Sequence, residues 1–402
     1  MKTTLPVYAY HHSTQQQQQQ QHSRKVVHNP KKQVSSSSNS TMNTSPITNN
    51  TSPISNNNNL SLEKLPSTMS SYYNYVPMEI PMAIQEKLQE YERKNNVKIL
   101  YCVETGSHSY GYHCESLSDF DIRFVYSSSL RDYLKLRNML ATYRGGEKSK
   151  IPTSIQNIFK CNVNPIRCVD ILGWELRRSF SFIWSGNSSI LEWLASERVL
   201  VSRTNNIDRL KNVAAKIIHG SPYTVAYAKL NTAKKNYHNI LDSKDKPPTS
   251  QRDVLDVKKT LFIIQTLLSV NILEWKYLIN TNHADVAEPL ENIIILNFRR
   301  LFDTVKALRT IEIEKEIEEL YLLRQQVPNV PLSSLHFGQR VESWIVYELN
   351  RVNAVCSSLF VKHSKDRWAQ HDQAITDELD ALFLDLLLEN DKSFTYHPNN
   401  GQ

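Results

Sequence analysis

The sequence predicts an α/β (α+β) protein, a small β-sheet core followed by an α-helical domain, behind a disordered N-terminal tail. Three observations carry this. Three short, mostly apolar runs at 97–103, 120–126 and 166–172 read as strands. From residue 204 onward the chain reads as successive helices, punctuated by Pro247, Pro248, Pro289, Pro328 and Pro331. Before residue 79 the chain holds a Gln run at 15–21, a Ser run at 35–38 and Asn/Ser-rich repeats. Such a composition buries too little apolar surface to offset chain entropy. The boundaries are 1–78 for the tail, 79–200 for the first domain, 201–390 for the helical domain and 391–402 for a loose end.

The 402 residues are 40% hydrophobic and 22% charged, ample for a sizeable core. The formal net charge is +7, but residues 1–78 hold six basic residues against Glu63 alone. The folded part is therefore near neutral, and net charge does not imply a strongly basic nucleic-acid surface. Arg24, Lys25, Lys31 and Lys32 read as a solvated charge run before they read as a nuclear signal. Five cysteines without a C-x-x-C pair, and no apolar leader, point to a reducing compartment, cytoplasmic or nuclear. The most apolar segment, 261–275, is interrupted by Gln265, Thr266, Ser269, Asn271 and Glu274 and reads as too short and too polar to span a membrane.

Taken in order, Ile80, Met82, Ile84, Leu88 and Tyr91 fall near helical spacing, which predicts a helix over 79–95. The strand at 97–103 ends on the turn signal Thr105-Gly106-Ser107, and a polar insert able to form a turn and a short helix follows. In 120–126, Phe120, Ile122, Phe124 and Tyr126 alternate with Asp121, Arg123 and Val125. A Ser-capped short helix follows Tyr126, and 137–163 shows no clear period and reads as an irregular loop. The strand at 166–172 carries Asp170 near its end and leads into a helix over 173–184, then a short one over 190–194. The helical domain reads as helices at 204–218, 222–241, 250–280, 286–308, 309–326, 333–363 and 370–389, a bundle without fixed repeat.

The chemistry concentrates between Glu104 and Tyr126. Asp119 and Asp121 stand two apart, so on a strand they share a face and repel. A divalent cation, Mg²⁺ or Mn²⁺, relieves that repulsion and commonly shares carboxylates with substrate phosphates. Gly106 and Ser107 can open a short helix whose backbone N–H groups receive a phosphate. Arg123, on the Asp121 side, tunes the carboxylates, meets a phosphate or makes a structural ion pair.

Glu104-Thr105-Gly106-Ser107-His108-Ser109-Tyr110-Gly111-Tyr112, followed by Ser118-Asp119-Phe120-Asp121-Ile122-Arg123-Phe124-Val125-Tyr126, resembles the signature of the DNA polymerase β superfamily of nucleotidyltransferases. More narrowly, it resembles the predicted nucleotidyltransferases associated with RNA repair, whose pattern runs E-S-G-S-R-x-W-G-F and then S-D-x-D-V-R-F-x-Y. His108 stands where that pattern has Arg, and Tyr110 where it has Trp. The resemblance implies a nucleotidyltransferase core with a small mixed β-sheet over 79–200 and a third carboxylate, Asp170, from a neighbouring strand. Val169-Asp170-Ile171-Leu172-Gly173-Trp174-Glu175-Leu176-Arg177-Arg178 is similar to the family's D-x-x-G-W-D-L-R-K. Asp119, Asp121 and Asp170 would then be the catalytic residues and metal ligands, with Asp170 also drawing a proton from an acceptor hydroxyl.

Gly106, Ser107, Arg123, Arg177 and Lys234 are the nucleotide-binding candidates. Asn187, Glu192 and Trp193 resemble the family's G-N-P-x-L-L-E-W-L, read as a helix cap and core. Tyr227, Lys234 and Lys235 lie in a stretch similar to H-Y-x-x-M-A-K-K-N, and Lys258-Lys259 in one similar to K-K-Y-x-Y-x-L-R-P, with Gln265 replacing its Arg. The implied activity is transfer of NMP from an NTP to an acceptor hydroxyl, with an RNA end suggested by family association. The alternatives are a protein or small-molecule acceptor, or a non-catalytic nucleotide- or RNA-binding scaffold.

Overall fold

The computed structural model describes residues 79–114, 118–135, 154–161, 167–244, 255–279, 288–327, 330–364 and 371–391. The predicted disordered tail at 1–78, most of the loop at 137–163 and the end from 392 lie outside the described residues. The first half of the fold runs α1 (Glu79–Asn95), β1 (Lys98–Thr105), α2 (Gly106–Tyr110), β2 (Phe120–Ser127), α3 (Leu130–Leu134), β3 (Ser154–Cys161) and β4 (Arg167–Glu175). It continues through α4 (Leu176–Trp184), α5 (Ser188–Ala195) and β5 (Val199–Ser202). The rest is helical: α6 (Ile207–Gly220), α7 (Pro222–Lys244), α8 (Val257–Glu274), α9 (Leu290–Ile293), α10 (Phe298–Leu308), α11 (Glu314–Gln326), α12 (Gly338–Ser364) and α13 (His371–Asp391).

The strands form one mixed sheet in the order β3-β4-β2-β1-β5. Only β2 and β4 run parallel; every other pairing is antiparallel. The alternation in β2 assigns its two faces. Phe120, Ile122, Phe124 and Tyr126 pack with Ile99, Val169 and Ile171 under Ile84, Leu88 and Tyr91 of α1. The other face carries Asp121, Arg123 and Val125, and Val125 joins Val103 and Trp174 in the large apolar cluster built with the helices. The carboxylates therefore sit on the sheet face opposite α1, toward the later helices.

Several boundaries differ from the sequence expectation. The stretch read as irregular contains β3, an edge strand paired only to β4. Its apolar residues Ile155, Ile158 and Phe159 keep no strict alternation, so only pairing reveals it. β4 runs on through Gly173, where a Cβ would lie 2.2 Å from the Phe124 ring, so the strand needs a glycine there to pass. α4 begins three residues later than expected because the Glu175 carboxylate accepts from the N–H groups of Arg177 (2.8 Å) and Arg178 (3.1 Å). The predicted helix over 286–308 is two helices, the second capped by Asn297, which accepts from Arg300 N at 3.0 Å. β5 was not foreseen.

α8 corrects the membrane argument in one respect. With the π-helical turn Trp275–Ile279 it is 23 residues long and, by length and composition, sufficient to cross a bilayer. It is instead a core helix, with Leu261, Ile263, Ile264, Leu267, Leu268 and Val270 buried. A buried polar cluster near its end is tied down. Glu348 of α12 is fully buried and accepts from Asn271 Nδ2 (3.2 Å), Arg309 Nη1 (3.0 Å) and Arg351 Nε (2.9 Å), while Arg351 Nη1 reaches Glu274 at 2.6 Å. Burial alone would raise the Glu348 carboxyl; the bonds and charge of Arg351 and Arg309 outweigh it and hold it below the ordinary range.

That balance has a consequence for stability. A lowered folded-state pKa stabilises the fold above the ordinary carboxylate range and is lost as pH falls through the lowered value. Glu348→Gln should therefore flatten the acid limb of a stability–pH curve. At neutral pH it should cost about 3–5 kcal/mol, the range for stripping a buried ionic cluster of one partner; urea melts across pH check both.

Candidate active site

The parallel register of β2 and β4 places Asp121 directly opposite Asp170. Between them lies Arg123. Its Nη2 donates to Asp121 Oδ1 (2.8 Å) and Asp170 Oδ2 (3.0 Å), and its Nη1 to the carbonyls of Ile122 (3.1 Å) and Asp170 (2.9 Å). Asp119 lies one residue before β2 and is exposed. Burial pushes the Asp121 carboxyl above its ordinary range; Arg123 and Lys258 oppose that, while Asp170 and Asp119 add to it.

The predicted turn closes on the same spot. α2 starts at Gly106, whose φ is +68°, and a Cβ there would lie 2.0 Å from Asp121 Oδ2. Glycine is thus required twice, for the backbone conformation and for the approach to the carboxylate. Thr105 precedes the helix without a side-chain cap, although its hydroxyl donates to the Asp121 carbonyl at 3.3 Å. Ser107 is buried beside it.

Beneath the turn, Glu104 is buried between His108 (2.8 Å to Nδ1) and Arg198 (2.7 Å from Nε). Its carbonyl accepts from Ser109 Oγ at 2.6 Å and Ser196 Oγ at 2.7 Å. His108, at the position of the family's Arg, is therefore pointed into the fold and packs against His113 and Phe120, with ring centroids at 4.5 and 4.7 Å.

The helical part contributes more than the sequence suggested. Tyr110 donates to Glu192 Oε2 at 3.1 Å, and the buried Lys229 of α7 pairs with Glu192 Oε1. Phe262 of α8 packs against Tyr110 at 6.2 Å. Lys258 lies one helical turn before Phe262 and is exposed, and its charge acts on Asp121. On α11, Tyr321 Oη donates to Gly111 O at 2.9 Å, and Arg324 Nη2 to Ser118 Oγ at 3.4 Å. One helix thus grips both ends of the segment joining the glycine turn to the aspartates.

Two other nucleotide-binding candidates have contacts of their own. Arg177 is exposed past the far end of β4, its guanidinium 5.3 Å from the Tyr133 ring centroid. Lys234 donates to Asn353 of α12 at 3.0 Å. The lysine that α7 turns inward is Lys229, and the sequence carried that signal: Ala226, Lys229 and Ala233 share one buried helix face. Asn187 caps α5, accepting from Ser189 N at 3.0 Å, and Trp193 stacks on Trp174 at 4.0 Å.

The donor set suits a hard divalent cation in a particular way. Among the described residues no three His, Cys, Asp or Glu side chains converge as a ready cage. Two adjacent carboxylates do, and Asp170 Oδ1 is buried without a hydrogen-bond partner. Mg²⁺ is commonly held by one or two carboxylates, the rest of its shell being water and substrate phosphate. Asp121 and Asp170 fit that pattern, with Asp119 beside them. Because Gly106 abuts Asp121 at a positive φ, Gly106→Ala should lower the melting temperature, which thermal unfolding followed by circular dichroism checks.

The family described as the RNA repair pathway DNA polymerase beta family matches residues 80–385. The uncharacterized protein YcgL of Bacillus subtilis (strain 168) is 25% identical over 214 residues, which are 53% of this chain and 68% of that protein. A nucleotidyltransferase-like protein from Exiguobacterium sibiricum 255-15, known from a crystal structure, aligns with 80% of this chain and 96% of its own at 11% identity, with a TM-score of 0.23. The family match takes in the glycine turn, the Asp-x-Asp strand, Asp170 and nearly all the helices, and the chain belongs to the RNA repair pathway DNA polymerase beta family, which is nucleotidyltransferase-like.

Proposed function

We propose that the chain is a metal-dependent nucleotidyltransferase that transfers NMP from an NTP to an acceptor hydroxyl and releases pyrophosphate. The observation that carries this is the register pair Asp121–Asp170 with Gly106 closed against it. Asp121 and Asp170 would hold Mg²⁺ or Mn²⁺, which would supply charge neutralisation for a triphosphate and acidify a hydroxyl beside it. Asp170 Oδ1, which no donor occupies, takes the proton of the acceptor hydroxyl. The exposed Lys258 ammonium, whose charge acts on Asp121, would meet the triphosphate, and the Gly106–Ser107 turn would receive its phosphates. The tie from Tyr110 to Glu192 and Lys229 fixes α2, and with it the turn, relative to α7. An RNA end is the acceptor class the family description favours.

A non-catalytic nucleotide- or RNA-binding role draws on one observation, that no three acidic, His or Cys side chains converge among the described residues. Full-length protein incubated with Mg²⁺ or Mn²⁺, each α-labelled NTP and pools of RNA or cell protein separates the readings. Label on RNA identifies the acceptor proposed; label on protein moves it; metal-dependent NTP binding without label favours the scaffold. Asp121→Asn should reduce transfer at least ~10²-fold, the scale of losing a group that acts on the reacting atoms, without lowering the melting temperature. Lys258→Ala should raise the KM for NTP about tenfold with a smaller change in kcat, as expected for a charged contact made equally in the ground and transition states.

A further inference from the structure

Arg123 stands closer to the carboxylates than any other cation described in the site, and its bonding is unusually complete. Nη2 bridges one oxygen of each aspartate, Asp121 Oδ1 at 2.8 Å and Asp170 Oδ2 at 3.0 Å. Nη1 is held by backbone carbonyls of both strands, Ile122 O at 3.1 Å and Asp170 O at 2.9 Å. The side chain is 15% exposed, half as much as either carboxylate. A guanidinium anchored to two backbones is not a free arm waiting for phosphate. It is a rigid fork that selects one oxygen from each aspartate.

The oxygens it leaves are telling. Asp121 Oδ2 is the atom that lies against Gly106, and Asp170 Oδ1 is buried with no donor. Without the fork both carboxylates are free to rotate, and adjacent like charges favour turning apart or protonating one of them. We propose that Arg123 is a positioning residue: by binding Asp121 Oδ1 and Asp170 Oδ2 it sets both rotamers and so orients the two carboxylates for the divalent cation. This rests on the metal-dependent reading of the site given above. Of the sequence readings of Arg123 it takes up the one in which the residue tunes the carboxylates rather than the one in which it meets a phosphate, and it opposes a rival in which the guanidinium occupies the cation's place and competes with it.

The rivals differ in sign. A competing guanidinium, once removed, leaves two carboxylates with less positive charge nearby, and cation binding tightens. A positioning guanidinium, once removed, leaves a poorly oriented pair, and binding weakens. Arg123→Lys separates geometry from charge, because it keeps the cation and loses the planar fork. The experiment is Mn²⁺ binding to the full chain, followed by electron paramagnetic resonance of free Mn²⁺ without nucleotide, on wild type, Arg123→Lys, Arg123→Gln and Asp121→Asn. Thermal melts confirm folding.

The expected result is binding weakened about 10–100-fold in both Arg123 variants, the range seen when a partner that orients a metal ligand is removed. Wild-type affinity in Arg123→Lys, or tighter binding in Arg123→Gln, overturns the positioning role. Should one variant not fold, the other decides by the same criterion; should neither fold, Arg123 is a structural ion pair and the proposal falls. Should wild type bind no Mn²⁺, or Asp121→Asn bind as wild type does, the metal reading itself fails and takes this role with it. A loss confined to the Arg123 variants leaves the metal reading standing.

Discussion

The site depends on one pairing, the parallel register of β2 with β4. Parallel strands lie about 4.8 Å apart, so opposing Asp121 to Asp170 brings two carboxylates together from positions 49 residues apart in the chain. The cost of that repulsion is met locally by Arg123, which binds both. Everything else in the sheet serves to hold this register. α1 seals the opposite face with Ile84, Leu88 and Tyr91, and β1, buried along nearly its whole length, carries the chain directly into the glycine turn.

Given that pairing, the helical half is a frame for the carboxylate face. α11 binds Gly111 and Ser118 on either side of the segment that leads to the aspartates. α7 and α5 bind Tyr110 through Lys229 and Glu192. α8 runs through the middle as an apolar core helix, and its first turn presents Lys258 where Asp121 feels its charge. The region least informative in sequence thus sets the geometry around the most informative one. The Gly111 carbonyl and the Ser118 hydroxyl find partners on α11, through Tyr321 and Arg324.

What could be read in the chain was local. The alternation of β2 correctly separated Asp121 and Arg123 from the apolar face, because strand side chains alternate regardless of context. The glycine at 106 was legible as a turn, the Ser cap at 129 as a helix start, and the Asp-x-Asp pattern as charge in need of compensation. The reading failed where a residue's state depends on a distant partner. Gly173 looked like a helix beginning and is a strand residue beneath a phenyl ring. Lys229, which the sequence reading did not single out, is drawn into the core by Glu192 of another helix.

The sequence by itself determined the family, the α/β core followed by helices, and the identities of the candidate carboxylates, since periodicity and motif spacing are properties of neighbours along the chain. Only the tertiary structure decided which oxygen of each carboxylate Arg123 binds, that Arg123 is also held by both strands, and that α7 turns Lys229 inward. Side-chain orientation at a site is set by strand register and helix packing, and both are fixed by contacts between residues far apart in the chain, which local pattern does not encode.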